Sequence, residues 1–268
     1  MATNQNPTAD MGFWDHLDVL RGTIFRSAIG VLIFAVVAFC FKTFLFEKII
    51  LAPLHGEFLT YRVMGIPFEM QLVNIEISTQ FMVHVRVACM AGIVMSCPYI
   101  IYEIWKFIAP ALYKKEKIAI RKAFLMSSGL FYFGVLVGYY LVLPLCLNFF
   151  VDYKVSDQIE NTITLTSYIS MFMSLVLVIG LVFEFPMVAM VLSSIGLIDR
   201  KMMRKYRKVA IVAVLSVAAI ITPADPMSMI ILSIPLYGLY EFSILLCKKS
   251  IMTEEEMDAE DALEEAEK

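Results

Sequence analysis

Charge is what this 268-residue sequence has least of. Asp, Glu, Lys and Arg together make up 18% of it, against 60% hydrophobic residues and a mean hydropathy of +0.76. That balance excludes an ordinary soluble domain. It points to an all-α polytopic membrane protein, because a helix crossing lipid satisfies its own backbone groups. A secretory leader is also missing. Met1 to Asp10 is polar, has no basic stretch and is not Arg- and Ser-rich like a transit peptide, so a bacterial plasma membrane is the expected location. Histidine is scarce, and His16, His55 and His84 are scattered. Five cysteines (Cys40, Cys89, Cys97, Cys146 and Cys247) lie in apolar runs, at spacings that make neither a zinc site nor a redox pair, and read as small hydrophobes. H-E-x-x-H, G-x-S-x-G and Walker A patterns are absent, as is any basic and aromatic interleaving suited to nucleic acid. The chain is therefore expected not to be an enzyme, to hold no metal or cofactor and to bind no nucleic acid.

What is present is a series of apolar runs. Residues 1–22 form a lead-in segment, in which Phe13, Leu17, Leu20 and Ile24 share a helical stripe and Asp15, Asp18 and Arg21 lie off it. A transmembrane domain of six helices is expected over 23–247, with spans at 23–46, 79–105, 123–150, 168–198, 209–222 and 227–247. Arg26 and Lys42 sit near the ends of the first, where long side chains snorkel. Pro53 and Pro67 make 47–78 a poor continuous helix. Gly134 and Gly138 permit close helix approach in the third span, and Pro144 is placed to kink it. The fifth span, about 14 residues or roughly 21 Å, falls short of a hydrocarbon core of about 30 Å. The sixth carries Pro235 and Glu241. The remainder, 248–268, ends in "TEEEMDAEDALEEAEK" and is expected to be a solvated, disordered appendage.

Orientation follows from Lys and Arg in short loops. Lys106, Lys114, Lys115, Lys117, Arg121 and Lys122 gather between spans two and three. Arg200, Lys201, Arg204, Lys205, Arg207 and Lys208 gather between spans four and five. Such loops stay in the cytoplasm, and six spans then put both termini there.

Glu184 is the anomaly. It is the only charged residue between Tyr168 and Ile198. A carboxylate at the bilayer centre costs roughly 2.5 to 3.5 kcal/mol on insertion scales, so it marks a functional site by default. A proton-coupled solute carrier and a non-transporting membrane scaffold are both compatible with that residue alone. The first is disfavoured by the lack of internal repeats.

Four stretches narrow the choice. "SCPYIIYEIWKFIAPALYKKE" (Ser96 to Glu116) resembles the most distinctive block of the TatC family, the large subunit of the twin-arginine protein translocase. "DHLDVLR" (Asp15 to Arg21) resembles that family's H-L-x-E-L-R, and "GLVFEFP" (Gly180 to Pro186) its G-x-x-F-E-x-P. "TPADPMS" with "IPLYGLYE" (Thr222 to Ser228, Ile234 to Glu241) resembles its last hairpin and sixth span. The resemblance implies a receptor for the twin-arginine signal peptides of folded cargo. Export would be driven by the proton-motive force, with small single-span TatA/TatB-type partners and self-association within a larger complex.

The resemblance also assigns residues. Glu116, flanked by lysines, becomes the main acid for the signal-peptide guanidinium groups, which carboxylates bind bidentately. Phe107 and Leu112 become its apolar neighbours, although interfacial anchoring also accounts for them. The family acid two residues before Arg21 is replaced by Val19. Asp18 is the nearest substitute if the helix rolls, Asp15 is another, and otherwise Glu116 carries most of the recognition. Arg21 matches directly and is expected to orient its helix or to touch lipid phosphate. Thr222, Asp225 and Ser228 fall where partners dock, but Met229 replaces a family Gln, which weakens the case for a TatB-like contact of the usual kind. Pro53, Pro110 and Glu241 are assigned structural roles. Glu184 is expected on a concave, water-accessible face, meeting cargo or a partner's polar residue.

Overall fold

The computed structural model describes residues 13–109, 114–153, 156, 162–222 and 226–247; of 13–16, 114–120, 122–123 and 227 it describes the backbone alone. The acidic tail, Pro110, Leu112 and Asp225 lie outside the described residues.

The chain is a bundle of long apolar helices. Helix α1 spans Phe13–Cys40, α2 Leu59–Met64, α3 Thr79–Ile108, α4 Lys114–Val137 and α5 Leu143–Asp152. Helix α6 spans Leu165–Val182, α7 Phe185–Ser194, α8 Arg200–Lys205, α9 Arg207–Ile221 and α10 Pro226–Leu246. Five helical stretches are long and apolar enough to cross a membrane: Leu17–Cys40, Thr79–Ile108, Phe124–Asp152, Leu165–Ser194 and Ser228–Leu246. The fifth expected span, α9, has only 15 residues, about 22 Å of rise. Helix α1 runs unbroken from the lead-in segment through Gly22 into the first span. Its apolar residues Ile24, Phe25, Leu32 and Ile33 are exposed, a surface suited to lipid.

Successive long helices run antiparallel, and named contacts fix each pairing. Along α1 and α3, Arg26 meets Glu103, and Phe39 stacks on His84 with ring centroids 4.0 Å apart. Between them, a Cβ at Gly92 would stand 2.8 Å from Ala35, so this close approach requires glycine. Along α3 and α4, Trp105 lies on Phe124 and Tyr132 reaches Val94. Gly134 and Gly138 let α4 and its continuation close on α6, where Phe183 and Val176 fill the space that side chains would need. Arg207 at the start of α9 meets Glu241 of α10, and Tyr240 of α10 donates to the Met203 carbonyl in α8.

Proline explains the local breaks. A helical proline leaves the carbonyl four residues earlier without its N–H donor, and in lipid that carbonyl still needs one. Pro98 frees the carbonyl of Val94, which accepts from the Tyr132 hydroxyl of α4 at 3.1 Å. Pro144 frees the carbonyl of Tyr140, which accepts from the Thr60 hydroxyl of α2. A π-helical turn over Gly138–Val142 precedes Pro144, so the third span bends into α5 rather than kinking at one point.

The segment after α1 is more ordered than a loop. A π-turn covers Phe44–Ile50 and a 3-10 turn covers Ala52–Leu54, with Pro53 buried inside it. The π-turn's last carbonyls are capped from the bundle: Tyr139 donates to Ile49 at 2.8 Å and Tyr168 to Ile50. Tyr61 and Phe68 stack beneath, and burial raises the Tyr61 hydroxyl pKa well above its usual value. One departure from an all-helical fold is a two-residue parallel pair, β1 (Leu72–Val73) with β2 (Ile163–Thr164), which ties the two loops at this end together.

Candidate functional site

The beginnings of α1 and α4 and the end of α3 meet at one end of the bundle, which carries the residues proposed for peptide recognition. Asp18, Val19 and Arg21 are all exposed on the first turns of α1. Phe107, in the last turn of α3, is half-buried. Glu116 is the third residue of α4; the partial positive charge of a helix N-terminus favours an acid there. The side chain of Glu116, and all of Leu112 and Pro110, lie outside what the structure describes. Lys106 and Arg121 at this end are exposed, as are Lys201, Arg204, Lys205, Arg207 and Lys208 around α8 and the start of α9.

This end also holds a charge pair that sequence reasoning missed. Arg26 does not snorkel at the end of its helix. Its Nε donates to Oε2 of Glu103 at 2.7 Å, and its Nη2 to the Thr23 hydroxyl at 3.3 Å. The Glu103 side chain is 4% exposed and that of Arg26 is 44% exposed. Opposite charges one to two turns inside neighbouring spans were the available signal.

Glu184 sits at the break between α6 and α7, where Phe183 and Glu184 form a turn ahead of Pro186. Its Oε2 accepts from the Ser127 hydroxyl of α4, and its Oε1 is buried with no hydrogen-bond partner. The surrounding pocket, about 380 Å³, is lined by apolar side chains such as Ile93, Ile101, Phe131 and Met187, together with Cys97. The lining of this pocket is apolar, and Glu184 itself is half-buried. A buried polar atom without a partner costs about 1–3 kcal/mol, more when charged, so the fold retains this group against its own stability.

At the α9–α10 hairpin the docking residues are placed differently from expectation. Thr222 is buried and donates to the carbonyl of Ala218 at 2.9 Å, capping its own helix. Ser228 is fully buried in the first turn of α10, and Asp225 is outside the described residues. Glu241 accepts from Arg207 at 2.7 Å and from Tyr237 at 2.9 Å, fastening the start of α9 to the end of α10.

The fold and site define a polytopic helical membrane protein with an acid in an apolar pocket and a basic end, and comparison with known proteins narrows the class. Residues 15–235 match the family model described as Sec-independent protein translocase protein (TatC). A Sec-independent protein translocase protein TatC from Blattabacterium is 34% identical over 257 residues, covering 90% of this chain and 97% of that protein. The Aquifex aeolicus protein of the same name is 32% identical, covering 92% and 99%. A crystal structure of the twin arginine translocase receptor TatC superimposes with a TM-score of 0.72 at 33% identity, covering 86% of this chain and 97% of that one. A second, in a detergent, gives 0.74 at 32%. The chain belongs to the TatC family.

Proposed function

We propose that this protein is the signal-peptide receptor and core subunit of a twin-arginine translocase, exporting folded proteins across a bacterial plasma membrane with the proton-motive force. The observation that carries the reading is family membership over residues 15–235. The convergence of α1, α3 and α4 at one basic end supports it, because these elements bear the peptide-recognition motifs. In this reading Glu116 takes one guanidinium of the Arg-Arg pair through charge-assisted hydrogen bonds, with Asp18 and Arg21 bordering the site and Phe107 and Leu112 against the peptide's apolar segment.

Six spans, with both termini cytoplasmic, complete the proposal. Antiparallel pairing of successive helices and the clustering of exposed Lys and Arg at one end support it. The short α9 then requires a thinned bilayer or a partner helix, a mismatch that single-span TatA/TatB-type subunits would relieve. Glu184 acts after recognition, offering its unpartnered oxygen to a polar group brought by cargo or partner. The test is genetic. A strain lacking this gene is expected to retain a folded twin-arginine reporter in the cytoplasm and to recover export on complementation. Normal export in the deletion strain would overturn the reading.

A further inference from the structure

We infer that Glu103 is an arginine-exchange site: Arg26 is an internal occupant that the second guanidinium of a bound twin-arginine peptide displaces. The inference rests on the receptor reading above and names a carboxylate for that site.

Three observations lead to it. First, Val19 is exposed on the first turns of α1 and offers an incoming guanidinium no acceptor. Second, the Glu103 cradle is already shaped around a guanidinium. The Arg26 Nε bonds the carboxylate, its Nη2 bonds the Thr23 hydroxyl, and its Nη1 lies over Gly22, where a Cβ would stand only 3.2 Å away. Two of its nitrogens thus bond oxygens of two different residues, an arrangement that suits a planar fork rather than an ammonium. Third, the two partners are unequally held. Glu103 is almost fully buried and fixed in the α1–α3 contact. Arg26 is nearly half exposed, and a single charged hydrogen bond joins them. The occupant can leave while the carboxylate stays.

The cradle lies about two helical turns, roughly 10 Å, beyond Val19 on the same helix. Arg26 is a tethered competitor at high effective concentration, so it weakens peptide binding by as much as its own contact is worth. It also spares the bundle an unpaired buried carboxylate when no peptide is present.

The experiment uses the full chain in nanodiscs, with fluorescein-labelled twin-arginine and Lys-Lys peptides as probes. Arg26→Gln is expected to bind the twin-arginine peptide about tenfold tighter than the unaltered protein, with no gain for the Lys-Lys peptide. Arg26→Gln/Glu103→Gln is expected to lose that gain. Unchanged or weaker binding by Arg26→Gln that elutes as a single folded species overturns the exchange site. Should Arg26→Gln fail to fold, Arg26→Lys is read instead. A roughly threefold gain supports the proposal and no gain overturns it. If the unaltered protein binds both peptides alike, the receptor reading itself falls, an outcome distinct from failure of the exchange site alone.

Discussion

Glu103 and Glu184 are both carboxylates inside the helical bundle, and they are held in opposite ways. Glu103 has a full positive charge against it, supplied by Arg26 from another helix. Glu184 has one hydroxyl, Ser127, and an oxygen left over in an apolar pocket. The first is near electrostatic balance with nothing bound. The second has no such counter-charge beside it. The proposed roles differ accordingly: exchange of guanidinium groups for Glu103 at the basic end, and a polar contact after recognition for Glu184.

That contrast can be broken by substitution, and the largest expected effect falls at the basic end. Glu116→Ala should lower twin-arginine peptide binding by roughly tenfold to a hundredfold, the worth of a charge-assisted hydrogen bond, without altering the fold. Fluorescence anisotropy with the purified variant checks it, and retained affinity removes Glu116 from recognition. Glu184→Ala should cut export of a folded reporter about tenfold while leaving peptide affinity within about twofold. Loss of peptide binding would put both carboxylates in one step and erase the distinction drawn here. Four leucines inserted into α9 should reduce export severalfold, if the shortness of that helix matters; unchanged export would make it a packing detail. Glu103→Gln should lower the thermal midpoint by more than Glu184→Gln does. The former removes the negative charge facing Arg26, whereas the latter keeps its acceptor oxygen for Ser127 and removes no paired charge. The smallest effect is at the proline-freed carbonyls. Tyr132→Phe should cost about 1 kcal/mol, measured by denaturation in detergent, because Val94 then loses its donor.

The two carboxylates also show what the sequence does and does not disclose. Glu184 was legible because nothing charged lies near it in the chain, and isolation along a sequence is a one-dimensional property. Glu103 was not, because its partner is 77 residues away and only the antiparallel packing of α1 on α3 brings them together. The long spans, the short α9 and the close approach at Gly134 and Gly138 follow from length, hydropathy and residue size, all local quantities. The order in the segment after α1 does not. Pro53 and Pro67 argued against a continuous helix there, and so they hid a π-turn capped by Tyr139 and Tyr168, donors from other helices. The contact of Thr222 was hidden in the same way: its hydroxyl donates to the Ala218 carbonyl of its own helix.

The central claim is that the basic end receives a twin-arginine peptide. It is tested most directly by placing an aromatic photo-crosslinking residue at position 107, which leaves Glu116 in place, in the full-length protein and presenting twin-arginine and Lys-Lys versions of one signal peptide. The account predicts an adduct with the twin-arginine peptide that disappears with the Lys-Lys peptide. Equal adducts with both, or none with either while the protein remains folded, would contradict it.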